Sequence, residues 1–192
     1  LALALEIEVG PRGAVRKHRY IEAAVRSQAR LSYEGVAHAL GFSEAFAAQP
    51  EAEKRRALLS TLWDVSQALR IKRRQRGSLE FELPEPVVVL DEHHEPIDVR
   101  RARSDPGLRK AYGMIEDLML LANEVVAGDL ARRGLPTIYR VHGPPDAERV
   151  ARFAELATSL GHPIDADASE DPRKLAQLLR DVEGSEHAGA LS

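Results

Sequence analysis

The first nine residues, LALALEIEV, place Leu1, Leu3, Leu5, Ile7 and Val9 at every second position. A period of two gathers all five side chains on one side of a pleated strand and would scatter them around a helix, so the chain is committed to a strand at its start. Gly10, Pro11 and Gly13 supply turn chemistry, and a second extended stretch runs from about Val15 to Ala24. The pair reads as a β-hairpin with one buried face. Glu6 and Glu8 interrupt the apolar run and no basic residue precedes it, which separates it from a secretory signal. No stretch of about 20 apolar residues, the length of a membrane-spanning helix, occurs anywhere.

Beyond the hairpin the apolar period changes. Ser32 is placed to cap a short helix through about Leu40. Leu58, Leu62, Val65 and Leu69 then recur at helical spacing in a longer helix, from about Glu51 to Gln75, stopped by Gly77. The stretch ELPEPVVVLDEHHEPIDV reads as a strand from Val87 to Leu90, a polar turn, and a short strand around Ile97 to Val99. Asp105 followed by Pro106 is an N-cap with proline at the first helical position. The helix they open should run to about Arg133, before Gly134, with Leu108, Tyr112, Ile115, Met119, Ala122 and Val126 as its core stripe. A strand near Thr137 to Val141 follows, then a helix capped by Asp146 and carrying Val150, Phe153, Leu156 and Leu160. From Pro163 onward there is one weak helix, around Pro172 to Val182. Strands and helices are mixed rather than alternating, so the fold class is α+β, with mixed helices and antiparallel strands.

With 192 residues, 44% of them hydrophobic and 30% charged, the chain can build one ordinary globular domain with a real core. It has no cysteine, which removes disulfides, thiolate zinc sites and a thiol nucleophile, and agrees with a reducing, cytoplasmic setting. A net charge of −3 argues against a surface wholly dedicated to nucleic acid. The distribution is uneven: Arg70, Lys72, Arg73, Arg74 and Arg76 crowd one segment, while the C-terminal end is mostly acidic or small. That basic cluster reads as a solvated helix end, where cations complement the macrodipole, or as a basic patch. The sequence opens at Leu1 inside a strand pattern, so it is expected to be a piece of a longer protein.

Known site grammar is mostly missing. There is no Walker A loop, GxGxxG, GxSxG or HExxH. His93 and His94 are adjacent in a turn, where their side chains diverge, and His142 reads as a hydrogen-bonded strand-end residue. The long helix is more informative, because Tyr112, Glu116 and Asn123 fall near one stripe. Glu116 stands in IEDLMLLAN, where the surroundings are apolar, and a buried carboxylate needs a partner. That partner is a structural amide or arginine, or else a ligand hydroxyl such as the ribose 2′-OH that distinguishes RNA from DNA. The stretch RSQARLSYEG sets Arg26, Arg30 and Tyr33 together where strand gives way to helix. An aromatic ring beside two guanidinium groups suits packing and a charged surface, or a phosphate-rich ligand with flat parts to stack.

RSQARLSYEGV, RGSLEFELPEP, VVLDEHHEPIDV, MIEDLMLLANEVVA and LPTIYRVHGPPDAERV occur in an order and at a spacing that resemble the catalytic RNB domain of the ribonuclease II and ribonuclease R family. The resemblance covers roughly residues 1 to 160. It implies that residues 1–192 are the central part of an RNB catalytic domain, with 163–192 a variable acidic tail segment of it. The implied parent is a processive, magnesium-dependent hydrolase, monomeric and cytoplasmic, that degrades single-stranded RNA from the 3′ end to nucleoside 5′-monophosphates. The competing reading is a non-catalytic RNA-binding module that keeps the fold.

Carried over position by position, Tyr33 in ARLSYEGV matches the family tyrosine that packs against the terminal nucleotides. Phe81 in GSLEF matches the aromatic that closes the base stack from the other side, and Glu116 in MIEDLM matches the acidic residue that contacts the terminal sugar. Arg26 and Arg30 are the candidate phosphate contacts. Gln28 stands where the family usually has histidine, and Tyr112 and Gly113 stand where it commonly has histidine and a basic residue. The family's four metal-holding aspartates are expected outside this chain, as is the arginine segment that steadies the scissile phosphate, so no catalytic or metal-ligating residue is assigned within it.

Overall fold

A computed structural model describes residues 1–78, 86–101, 104–141, 143, 145–164, 171–182, 185 and 187. The chain divides into two compact units, one of Leu1–Arg70 with Pro84–Thr137 and one of Ile71–Leu83 with Ile138–Ser192. The regular structure of the described residues consists of helices and two separate two-stranded antiparallel sheets, in the α+β class.

In the first unit β1 (Ala2–Val9) pairs with β2 (Val15–Ala23) in the register Leu5 to Tyr20, with an irregularity between Glu8 and Val9. The Gly10 amide donates to the Ala14 carbonyl at 2.8 Å and closes the turn. The expected apolar face is buried only in part: Leu5, Ile7 and Val9 are half-buried, whereas Leu1 and Leu3 are exposed. The turn end of the hairpin lies against the Ala68 backbone and the Asp129 side chain, whereas Leu1 and Leu3 at its open end are uncovered by the described residues.

Helix α1 (Tyr33–Ala39) starts as its cap demands, with Ser32 Oγ accepting from the Gly35 amide at 3.0 Å. The single helix expected from Glu51 to Gln75 is broken into α2 (Pro50–Glu53) and α3 (Arg56–Gln75). The cause is local. The Arg55 amide donates to Ala52 in a tight turn, and the Glu51 carbonyl that it would reach in a continuous helix instead accepts from the Arg55 guanidinium at 3.0 Å.

The 27-residue helix α4 (Pro106–Arg132) opens with Asp105 accepting from the Leu108 amide at 2.7 Å and ends before Gly134, whose φ of 64° no continuing helix allows. Its buried line is Gly107, Ala111, Met114, Asp117 and Leu121, not the stripe through Tyr112, Ile115 and Met119. Ile115 and Met119 are exposed. The small residues on the buried line let α4 approach closely: Gly107 sits against the Phe42 backbone. Val36, Ala37, Ala39, Ala52, Leu59, Ala111 and Met114 form the core there, ringed by Phe42, Leu62 and Trp63.

Strands β3 (Pro86–Leu90) and β4 (Pro96–Arg101) pair around a turn in which Asp91 Oδ1 accepts from the His93 and Glu95 amides at 2.8 and 2.9 Å. In the second unit α5 (Ala147–Ser159) carries its Asp146 cap, accepting from the Arg149 amide at 3.0 Å. The tail helix α6 (Pro172–Val182) packs Leu178 and Val182 with Ala157 in a small core of its own. The strand expected near Thr137 to Val141 is not formed; that segment has no regular structure and Ile138 and Val141 are fully or mostly exposed, and among the described residues no strand pairs with it. His142 lies outside the described residues. No described helix is long and apolar enough to cross a membrane.

Candidate functional site

The connector between β2 and α1 has no regular structure, yet its backbone is held in place. One side-chain amide, that of Gln49, accepts from the Ser32 amide and donates to the Arg30 carbonyl, both at 3.1 Å. Arg55 Nη2 donates to the Gln28 carbonyl at 3.3 Å, and Gln28 Nε2 donates to the Arg26 carbonyl at 3.1 Å. The backbone is thus pinned while the Arg26 and Arg30 side chains stay exposed. Neither guanidinium is in an ion pair with a described carboxylate, so both are available to an anion from solution.

Where this connector enters α1, the Tyr33 ring lies face to face on Tyr112 of α4, with centroids 3.7 Å apart and planes 16° from parallel. Both rings are half-buried, and Tyr33 borders the core of the first unit. Packing and stacking therefore coexist in Tyr33: one face is spent on Tyr112, and the residue is not enclosed. Tyr112, which the sequence places on the core stripe and on one stripe with Glu116, completes the stack.

One turn further along α4, Glu116 is exposed. The apolar neighbourhood that seemed to demand a partner for it is not formed around it, because the adjacent Ile115, Met119 and Leu120 are themselves exposed. The buried carboxylate is the next residue, Asp117, 1% exposed. Ser66 Oγ donates to Asp117 Oδ2 at 2.5 Å, and Arg70 Nη2 lies 3.4 Å from the same oxygen. A Cβ at position 113 would collide with the Arg70 guanidinium, so Gly113 makes room for the pair. A step of one residue turns a helical side chain by about 100°, which is all that separates the two carboxylates. Arg70 consequently does not belong to a solvated helix end; Lys72, Arg73 and Arg74 do occupy the last turn of α3.

Asn123 is exposed on α4, and Phe81 lies outside the described residues. His93 and His94 are exposed in the β3–β4 turn. Among the described residues no group of three or more histidine, aspartate or glutamate side chains could hold a metal ion. No chemical step is assigned to the described residues.

The structure brings together a stacked ring pair, an exposed carboxylate one helical turn away, and a pinned connector bearing two free cations. Comparison with known proteins agrees on one relationship. The family model for the RNB domain matches residues 1–190. Ribonuclease R of Aquifex aeolicus is 32% identical over 185 residues, 96% of this chain and 25% of that protein. Ribonuclease R of Escherichia coli is 25% identical over 182 residues, 95% of this chain and 22% of that protein. The structure of Mycoplasma genitalium RNase R in complex with ribose methylated single-stranded RNA matches at a TM-score of 0.79 and 25% identity, over 97% of this chain and 28% of that one. The chain thus spans about a quarter of the length of the relatives it matches.

Proposed function

The chain belongs to the RNB domain family, and from that membership we propose that it is the RNA-end-gripping part of a 3′-to-5′ exoribonuclease that hydrolyses single-stranded RNA processively to nucleoside 5′-monophosphates. The observation that carries this reading is the Tyr33–Tyr112 stack, set one helical turn from the exposed Glu116. An aromatic face takes any base, at about 1–3 kcal/mol per stack, so such a grip is indifferent to sequence, as a degradative enzyme requires. Glu116 can accept a hydrogen bond from a ribose hydroxyl and finds no such donor on an internal deoxyribose. Its exposure leaves the carboxylate free for that bond. Arg26 and Arg30 supply the phosphate contacts, and Phe81 is the second stacking ring.

The hydrolytic step in this reading depends on magnesium held by aspartates elsewhere in the longer protein, where it would activate the attacking water. A non-catalytic RNA-binding module that keeps the fold is the competing reading. Hydrolysis by a longer protein carrying this chain separates the two.

The grip itself is tested on the 192-residue chain with a labelled RNA oligonucleotide and its DNA counterpart. A hydrogen bond to a charged group contributes about 1.5–3 kcal/mol, so Glu116→Ala should weaken RNA binding tenfold to somewhat over a hundredfold and leave DNA binding nearly unchanged. Tyr33→Ala and Phe81→Ala should each weaken both by about 1–3 kcal/mol. The same chain in magnesium should release no mononucleotides from poly(A). A folded Glu116→Ala variant that keeps its preference for RNA over DNA would remove the assignment of that residue.

A further inference from the structure

The basic cluster that closes α3 has no part in the grip proposed above. From Val65 to Ser78 the sequence holds five cations and no carboxylate, in a chain whose net charge is −3. Arg70 is turned to Asp117, which leaves Lys72, Arg73, Arg74 and Arg76. We infer that these four form a phosphate-binding site for the backbone of a single-stranded nucleic acid, along the strand that the stacking ring Phe81 receives. This rests on the RNA reading above and extends it from the end of the strand to its backbone.

Capping the helix does not account for the cluster. The last carbonyls of α3 are satisfied by backbone amides: those of Lys72 and Arg73 accept from the Arg76 amide at 3.3 and 3.0 Å, that of Arg73 also from Ser78 at 3.1 Å, and that of Arg74 from Gly77 at 3.0 Å. No side chain is needed as a donor there, and a macrodipole equivalent to about half a charge is complemented by one cation, not by four. Arg74 and Arg76 are exposed, and Lys72 and Arg73 are half-buried. Each of the four has a partner within the protein. At exposed positions such a contact is worth little, so a phosphate with several acceptor oxygens can displace it. Arg173 of α6 packs where a Cβ on Gly77 would stand, but its guanidinium donates to Asp171 from Nε at 2.9 Å and from Nη2 at 3.0 Å, so the carboxylate brought near is already paired. Phe81 follows Arg76 five positions later, and five residues span at most about 18 Å. Cations on the backbone and an aromatic ring under the bases are together what holds a single strand without regard to its sequence.

The test measures binding of a labelled single-stranded RNA and its DNA counterpart to the 192-residue chain over a series of salt concentrations. Each phosphate contact on a single strand adds about 0.7 to the slope of log affinity against log salt, so Arg74→Gln/Arg76→Gln should lower that slope by about 1.4. The affinities for RNA and DNA should fall by the same factor, because the backbone charge is common to both. Arg74→Lys/Arg76→Lys should keep the slope. Arg149→Gln/Arg152→Gln, which removes the same charge from exposed positions of α5, should leave it nearly unchanged. A glutamine pair that melts lower but keeps the slope makes the cluster a helix-end device and overturns the inference. An equal loss in the α5 pair overturns it too, since bulk charge is then the cause, and so does a loss confined to RNA. Should the double variant fail to fold, the single variants Arg74→Gln and Arg76→Gln decide, each expected to remove about 0.7 from the slope. If the unchanged chain binds neither strand, this inference falls together with the RNA reading, whereas RNA binding that depends on Glu116 but not on Arg74 and Arg76 sinks this one alone.

Discussion

At position 117 a carboxylate is 1% exposed, and at position 116 another is open to water. The two differ in what they hold. Asp117 accepts from Ser66 at 2.5 Å and faces Arg70, whose side chain is only 24% exposed, so removing it takes a buried acceptor from both. Breaking a buried pair from one side costs about 3–5 kcal/mol, and the partial exposure of Arg70 places this site near the lower end. Asp117→Ala is therefore expected to destabilise the chain by roughly 3 kcal/mol in a denaturant titration. Glu116→Ala, at an exposed position, should stay within about 0.5 kcal/mol. Equal losses would mean that α4 is rotated from the position described. The comparison also protects the functional test, because a Glu116 variant that keeps its stability cannot lose RNA binding through unfolding.

Helix ends are where carboxylates stabilise the elements, and they make that stability depend on pH. Asp105 accepts from the Leu108 amide and from Ser43 Oγ at 2.9 Å, and the backbone hydrogen bond from Leu108 is the main reason its pKa lies below the ordinary value. Glu51 is lowered chiefly by Lys54 and then Arg55, and Glu53 chiefly by Arg56 and then His38. Burial raises the pKa of Asp129, but Arg132, His18, Arg133 and Tyr20 outweigh it, so this residue too is lowered while it ties β2 to the end of α4. Each depressed pKa means that the unfolded chain binds its proton first as pH falls. The stabilisation is fully present above the unfolded value, about pH 4, and is lost as pH drops through the lower folded value. The melting temperature should accordingly decline below about pH 4. Asp105→Asn, which keeps a capping side chain without the charge, should flatten part of that decline, and Asp105→Ala should cost about 1 kcal/mol at neutral pH. An Asp105→Asn variant with the original acid dependence would assign the decline to the other carboxylates.

Over the whole molecule, stability is unevenly supplied. Each unit has its own core, around Ala111 and Met114 in one and around Ala157 and Val182 in the other. The β3–β4 hairpin belongs to the first unit but takes no part in the core, with Val88, Ile97 and Val99 all exposed. An isolated two-stranded ribbon is marginally stable in water, since half of its backbone edges face solvent and it buries little apolar surface. Amide hydrogen exchange should therefore be much faster along β3 and β4 than along the middle of α4. Comparable protection would mean that the ribbon is covered, for instance by a second copy of the chain.

The sequence by itself determined the elements whose causes are local. The alternation of LALALEIEV, the caps Ser32, Asp105 and Asp146, the stop at Gly134 and the Asp91 turn all act within a few residues, and each formed where it was expected. The family membership was legible for a related reason, because order and spacing of motifs survive in one dimension. Tertiary structure alone decided the rest. The buried line of α4 runs through Gly107, Ala111, Met114, Asp117 and Leu121, where small residues admit neighbours closely, and not through Ile115 and Met119. That choice turned Glu116 outward and Asp117 inward, and it brought Tyr112 against Tyr33 from 79 positions away. The strand expected at Thr137 to Val141 needed a partner across a sheet, and propensity cannot supply one. Periodicity reports that a face is apolar, but which face is buried depends on what packs against it, and that is a property of the fold.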